Sequence, residues 1–161
     1  MVAALEARRA VEAGASAGLV YPSHGWLRFG YQKGAPQTRY KEIYETSGLP
    51  LILFQYPDAT KATYDLETQL EIAGQEGVFA TKNGVRNMKR WDTEIPVLRA
   101  AYPELQILTC HDDTCCTRCS TSTAHSSVTA DSPPNRWWSS SPRARQRTTR
   151  LHAPSTTASC P

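Results

Sequence analysis

The chain has 161 residues, 40% apolar side chains and a formal charge of +3, the size and apolar content of one modest domain. No run of about 18 apolar residues occurs, which excludes a transmembrane helix, and the opening Met1-Val2-Ala3-Ala4-Leu5-Glu6 lacks the basic-then-apolar pattern of a secretory signal. The five cysteines are therefore expected in a reducing, cytoplasmic compartment, without disulfides.

Apolar blocks alternate with charged amphipathic stretches through residue 113. Leu5 to Ala13 (LEARRAVEA) reads as a short helix stopped by Gly14, and Ala17 to Tyr21 (AGLVY) as a buried strand closed by Pro22. Thr38 to Thr46 places Tyr40, Ile43 and Tyr44 at helical spacing, with Gly48 as the stop. Leu51-Ile52-Leu53-Phe54 is a continuous apolar run between Pro50 and Pro57. Asp65 to Ala73 predicts a second amphipathic helix, Gly77 to Lys82 a strand, Val85 to Ala101 a helix kinked at Pro96, and Leu105 to Cys110 a fourth strand.

Strands without polar alternation, separated by helices, indicate parallel βαβ units buried on both faces. Their starts recur about every 30 residues, the rhythm of a (β/α)8 barrel and equally of an open doubly wound sheet. No glycine-rich loop follows any strand, which disfavours nucleotide binding. Four strands make half a barrel. The pattern gives an α/β fold and leaves both architectures open.

Lys82 ends the apolar strand Val78-Phe79-Ala80-Thr81. In a barrel that end faces the active site, and an ammonium stripped of hydration there becomes a nucleophilic amine suited to condensing with a carbonyl. The plainer reading is a lysine that leaves the strand and reaches back to solvent.

Four segments carry a family resemblance. Leu49 to Thr60 (LPLILFQYPDAT) resembles the LPxILYNxPxRT strand of the dihydrodipicolinate synthase / N-acetylneuraminate lyase family, and Gly77 to Asn83 (GVFATKN) is similar to its GIVGIKE strand. Ala13-Gly14-Ala15 with Gly18-Leu19-Val20-Tyr21-Pro22 resembles GADAVLVxxP, and Leu108 to Asp113 stands where the family has its LSGDD turn. The four run in the family's order and cover almost all of residues 1–113.

The resemblance implies an α/β fold that is a partial (β/α)8 TIM barrel of about four βα units with a disordered C-terminal tail, and a class I aldolase-type lyase acting on pyruvate or another 2-oxo acid, with Lys82 as the Schiff-base lysine and no cofactor; relatives are often homotetramers. It also shows departures. Phe54 replaces the proton-relay tyrosine, and Ala59 stands where dipicolinate synthases hold a dicarboxylic substrate with arginine. Tyr56 shares a face with Phe54 and could supply a hydroxyl, or could be structural. His24 falls near the family's second tyrosine, or is a surface-loop histidine. The family's GTTGE carboxylate loop has no counterpart, as expected for a chain that starts after it. Phe54, Tyr56 and His24 are accordingly the expected substrate-side residues around catalytic Lys82.

After Asp113 the composition changes. Residues 1–113 hold 12 Lys and Arg against 14 Asp and Glu, whereas residues 114–161 hold six arginines, one acid (Asp131), one leucine (Leu151) and no Ile, Phe, Met, Tyr, Lys, Glu or Gly. Such a segment buries too little apolar surface to offset its ordering entropy. His111, Cys115, Cys116, Cys119 and His125 include one C-x-x-C pair but no second unit at finger spacing, so no metal is expected. Arg143, Arg145, Arg147 and Arg150 form a basic arm, yet no nucleic-acid partner is inferred from it.

A shifted reading frame explains this tail better. With GC-rich codons, regrouping Asp113 to Ala130 from the last base of each codon gives YLLHTMFDVDGALVGYG, and its DGALVGYG resembles the strand after the family's GDD turn. The division expected is therefore 1–113, a partial lyase barrel, and 114–161, an out-of-frame tail. As encoded, the chain is expected to be a poorly soluble, inactive fragment of a lyase. The alternative is a non-enzymatic Cys/His/Arg-rich zinc- or nucleic-acid-binding module.

Overall fold

In a computed structural model describing residues 2–110 and 124–125, helices and strands largely alternate along the chain, with two helices between the first two strands and two strands at the end. They are α1 (Val2–Glu12), β1 (Gly18–Val20), α2 (His24–Phe29), α3 (Ala35–Ser47), β2 (Leu51–Gln55), α4 (Leu66–Ala73), β3 (Val78–Asn83), α5 (Met88–Ala101), β4 (Gln106–Thr109) and β5 (Ala124–His125). They belong to a compact unit spanning Met1–Thr129. The Cys/His cluster, apart from the backbone of His125, and the four tail arginines lie outside the described residues.

All five strands are parallel and stand in sequence order, β1-β2-β3-β4-β5. The register aligns Val20, Leu53, Thr81 and Ile107 in one row across the sheet. Neighbours in a row point to the same side, because strand side chains alternate with period two. Val20 and Leu53 join the apolar cluster built with Ala4 of α1 and with Tyr40 and Ile43 of α3. Ile107 joins a second cluster with Ala73 of α4 and with Trp91, Ile95 and Leu98 of α5. The long helices thus cover the same side of the sheet. A doubly wound sheet would carry helices on both sides and reverse its strand order; sequential strands with a single helix layer are part of a (β/α)8 barrel.

Capping chemistry sets the helix ends. Asp65 accepts the Thr68 N–H at 2.8 Å and so precedes α4 as its cap. Asn87 does the same for the Arg90 N–H, which moves the start of α5 from Val85 to Met88. Pro36 lies in the first turn of α3, where a missing N–H costs nothing, so that helix begins three residues before Thr38. Gly48 ends it in the left-handed conformation at φ +63°. The helix α5 runs on through Pro96.

Two elements had no signal in the sequence pattern. The six-residue α2 is too short for periodicity, and β5 is a two-residue strand formed by pairing with β4. Strand β1 is shorter than the apolar run suggested, and Tyr21 lies just beyond it.

Candidate active site

Polar side chains at the strand ends tie back the loops that follow. Gln55, Asn83 and Thr109 form the last helix-side row, each fully buried. The Gln55 amide donates to the Tyr64 carbonyl at 2.8 Å and accepts from the Tyr64 N–H at 3.0 Å. Asn83 Oδ1 accepts the Val85 N–H at 2.9 Å. Both loops leave the sheet in fixed directions because these backbone groups have no competing water.

Arg90 of α5 locks the β2–α4 loop further. It pairs with Asp58, donates to Thr63 Oγ1 at 3.0 Å and the Tyr64 carbonyl at 2.9 Å, and reaches Glu94 at 2.7 Å. Glu94 also accepts from Gln69 at 2.9 Å. Burial opposes the Arg90 charge, but the hydrogen bonds to Glu94 and Asp58 outweigh it and hold its pKa above the ordinary value.

The opposite side of β2 presents Ile52 and Phe54, both half-buried. Phe54 is the register partner of Lys82, and Lys82 Nζ lies 5.6 Å from the centre of the Phe54 ring, within range of attraction between a cation and a ring face. Tyr56 packs on Phe54 with ring centres 4.8 Å apart and planes at 71°. From β1, Tyr21 reaches the same ring at 4.9 Å and lies 6.2 Å from Tyr56. Phe54, which faces the amine, thus belongs to a three-ring group at the carboxyl end of the parallel strands. Burial, and secondarily the Tyr21 phenol, raise the Tyr56 pKa, so its hydroxyl stays protonated and can donate.

Gly84 is required beside this group. Its N–H donates to the Gln55 carbonyl at 2.8 Å, and a Cβ there would come 3.0 Å from that oxygen and 3.4 Å from Cys110 Sγ. The Cys110 thiol, just past β4, donates to the Asn83 carbonyl at 3.3 Å.

Of the residues expected from sequence, Lys82, Phe54 and Tyr56 come together. His24 opens α2 as an exposed residue, and Ala59 is exposed in the Arg90-anchored loop. Tyr21 was missed as a member of the ring group. The only available signal was its position immediately after an apolar run, at the end of a strand that pairs beside Phe54.

A parallel sheet in sequential strand order with one helix layer is part of a (β/α)8 barrel, and Lys82 lies near the carboxyl end of its strands. The chain belongs to the dihydrodipicolinate synthetase family, whose sequence profile matches residues 7–137. Among solved structures it is similar to a dihydrodipicolinate synthase from the commensal bacterium Bacteroides thetaiotaomicron, at 23% identity and a TM-score of 0.55, over 66% of this chain and 34% of that one. The chain therefore spans about a third of the length of that relative. No curated protein matches it.

Proposed function

We propose that this chain carries the amine-bearing part of a class I aldolase-type lyase acting on pyruvate or another 2-oxo acid. The observation that supports this most is Lys82 near the carboxyl end of β3, opposite and over the Phe54 ring, in a chain of this family. In the reaction, the Lys82 Nζ lone pair attacks the C2 carbonyl of the 2-oxo acid. The carbonyl oxygen takes up protons and leaves as water, giving an imine. Phe54 offers no hydroxyl for those transfers; the protonated Tyr56 phenol beside it can donate.

The described strands leave β1 and β5 as open edges, so these 161 residues alone are proposed to be inactive in turnover, imine formation at Lys82 being the one partial step left to test. The protein is proposed to work in the cytoplasm, with no cofactor, metal, membrane or nucleic-acid partner, as a homotetramer in its full-length form. Among the described residues no helix is long and apolar enough to cross a membrane.

Treating the chain with pyruvate and borohydride, then mapping the mass adduct, tests the reading. An adduct on the Lys82 peptide that disappears in Lys82→Arg supports it; absence of an adduct there with any 2-oxo acid overturns it. The out-of-frame origin of 114–161 rests on composition, and its counterweight is the family match, which runs on to residue 137. Sequencing the DNA around codon 113, in this gene and its close relatives, decides between them.

A further inference from the structure

The ring group beside Lys82 is an unusual wall for a small charged substrate. Phe54 packs against Tyr21 and Tyr56 at 4.9 and 4.8 Å, tilted by 57° and 71°, and the two tyrosines lie 6.2 Å from each other, so the three rings form a triangular group. Aromatic rings favour these offset and edge-on arrangements, and a further ring can add at the same centre-to-centre spacing. Tyr21 is 49% exposed, so part of its surface is free to receive one. A substituent ring one methylene away from the imine carbon is within reach, because Nζ is only 5.6 Å from the Phe54 centre.

The opposite preference, for a second carboxylate, finds no support in the neighbouring loop. Residue 59 is alanine, and Arg90, the guanidinium that anchors this loop, is engaged by Asp58, Glu94, Thr63 and Tyr64.

We infer that the substrate of this site is a 2-oxo acid bearing an aromatic substituent, held by the Tyr21–Phe54–Tyr56 rings while its C2 carbonyl condenses with Lys82. The inference rests on Lys82 being the imine-forming amine. The Nζ–C2 bond forms as the C2–O bond breaks, the oxygen leaves as water, and added borohydride supplies the hydride that fixes the imine as a secondary amine.

The test compares phenylpyruvate with pyruvate at equal, subsaturating concentration, reading the ratio of borohydride-fixed adducts on the Lys82 peptide. Phenylpyruvate is expected to label roughly fivefold more, the size of one added aromatic contact. Phe54→Leu, which keeps apolar volume but removes the ring, should bring the ratio close to one. Tyr21→Leu, at an exposed position, should lower it without touching the core. A wild-type ratio near one, or a ratio unmoved by both variants, overturns the inference while leaving the amine assignment standing. Labelling at Lys82 by neither acid overturns the amine assignment as well.

Discussion

The two sides of the same strands do different work. On the helix side, Leu51 and Leu53 of β2 and Ile107 of β4 are almost completely buried against α1, α3 and α5. On the other side, Ile52, Phe54 and Lys82, one residue away in each strand, remain half-buried. The first set carries stability because each side chain leaves water entirely. The second set keeps its reactive groups reachable. Alternation along a strand lets one short segment serve both purposes, and substitutions at adjacent positions should separate them cleanly.

The largest effect is expected at Lys82. Lys82→Ala should abolish borohydride-dependent labelling of that peptide while shifting the urea unfolding midpoint by less than about 0.5 kcal/mol equivalent, since the amine packs into no core cluster. A large loss of stability would show that both sides of the sheet hold the fold.

Next, Leu53→Ala should cost about 3 kcal/mol by leaving a cavity under α3, whereas Ile52→Ala, on the less buried side, should cost about 1 kcal/mol. Paired urea titrations measure both, and equal losses would erase the distinction between the two sides. Glu94→Ala removes a half-shared partner from Arg90 and one from Gln69, at a cost of about 2 kcal/mol in the same measurement. It should also loosen the loop of residues 57–65, visible as faster amide exchange there.

The smallest effect concerns Asp65. Hydrogen bonds from the Thr68 backbone and hydroxyl hold its carboxyl below the usual carboxylate range, against a lesser opposing contribution from burial. A lowered folded-state pKa contributes stability above the unfolded value of about 3.9 and loses it as pH falls through the folded value. Asp65→Ala should therefore cost about 1 kcal/mol at pH 7, with the difference from wild type shrinking below about pH 4. A pH-independent difference would mean the cap acts through shape rather than charge.

Much of the architecture was legible in the chain. Apolar runs such as Leu51 to Phe54, separated by amphipathic stretches, located four strands and the helices between them, because a parallel strand covered on its helix side needs little polar alternation. The family motifs then marked Lys82. Helix starts were less legible, since Pro36, Asp65 and Asn87 act through backbone geometry rather than through apolar periodicity. Arg90 read as an ordinary surface cation in α5. Its partners Asp58, Thr63 and Tyr64 are 26 to 32 residues away in the chain, and only folding brings them together.

The sequence by itself determined the alternation of strands and helices, and placed a lysine at the end of one strand, because hydrophobic pattern and turn residues act locally. Only the tertiary structure decided between a barrel-type sheet and a doubly wound one, through the shared helix side of Val20, Leu53 and Ile107. It also brought Tyr21 onto Phe54, set His24 exposed at the start of α2 and engaged Arg90. Each of these depends on the register between strands or the packing of distant segments, which no local pattern encodes.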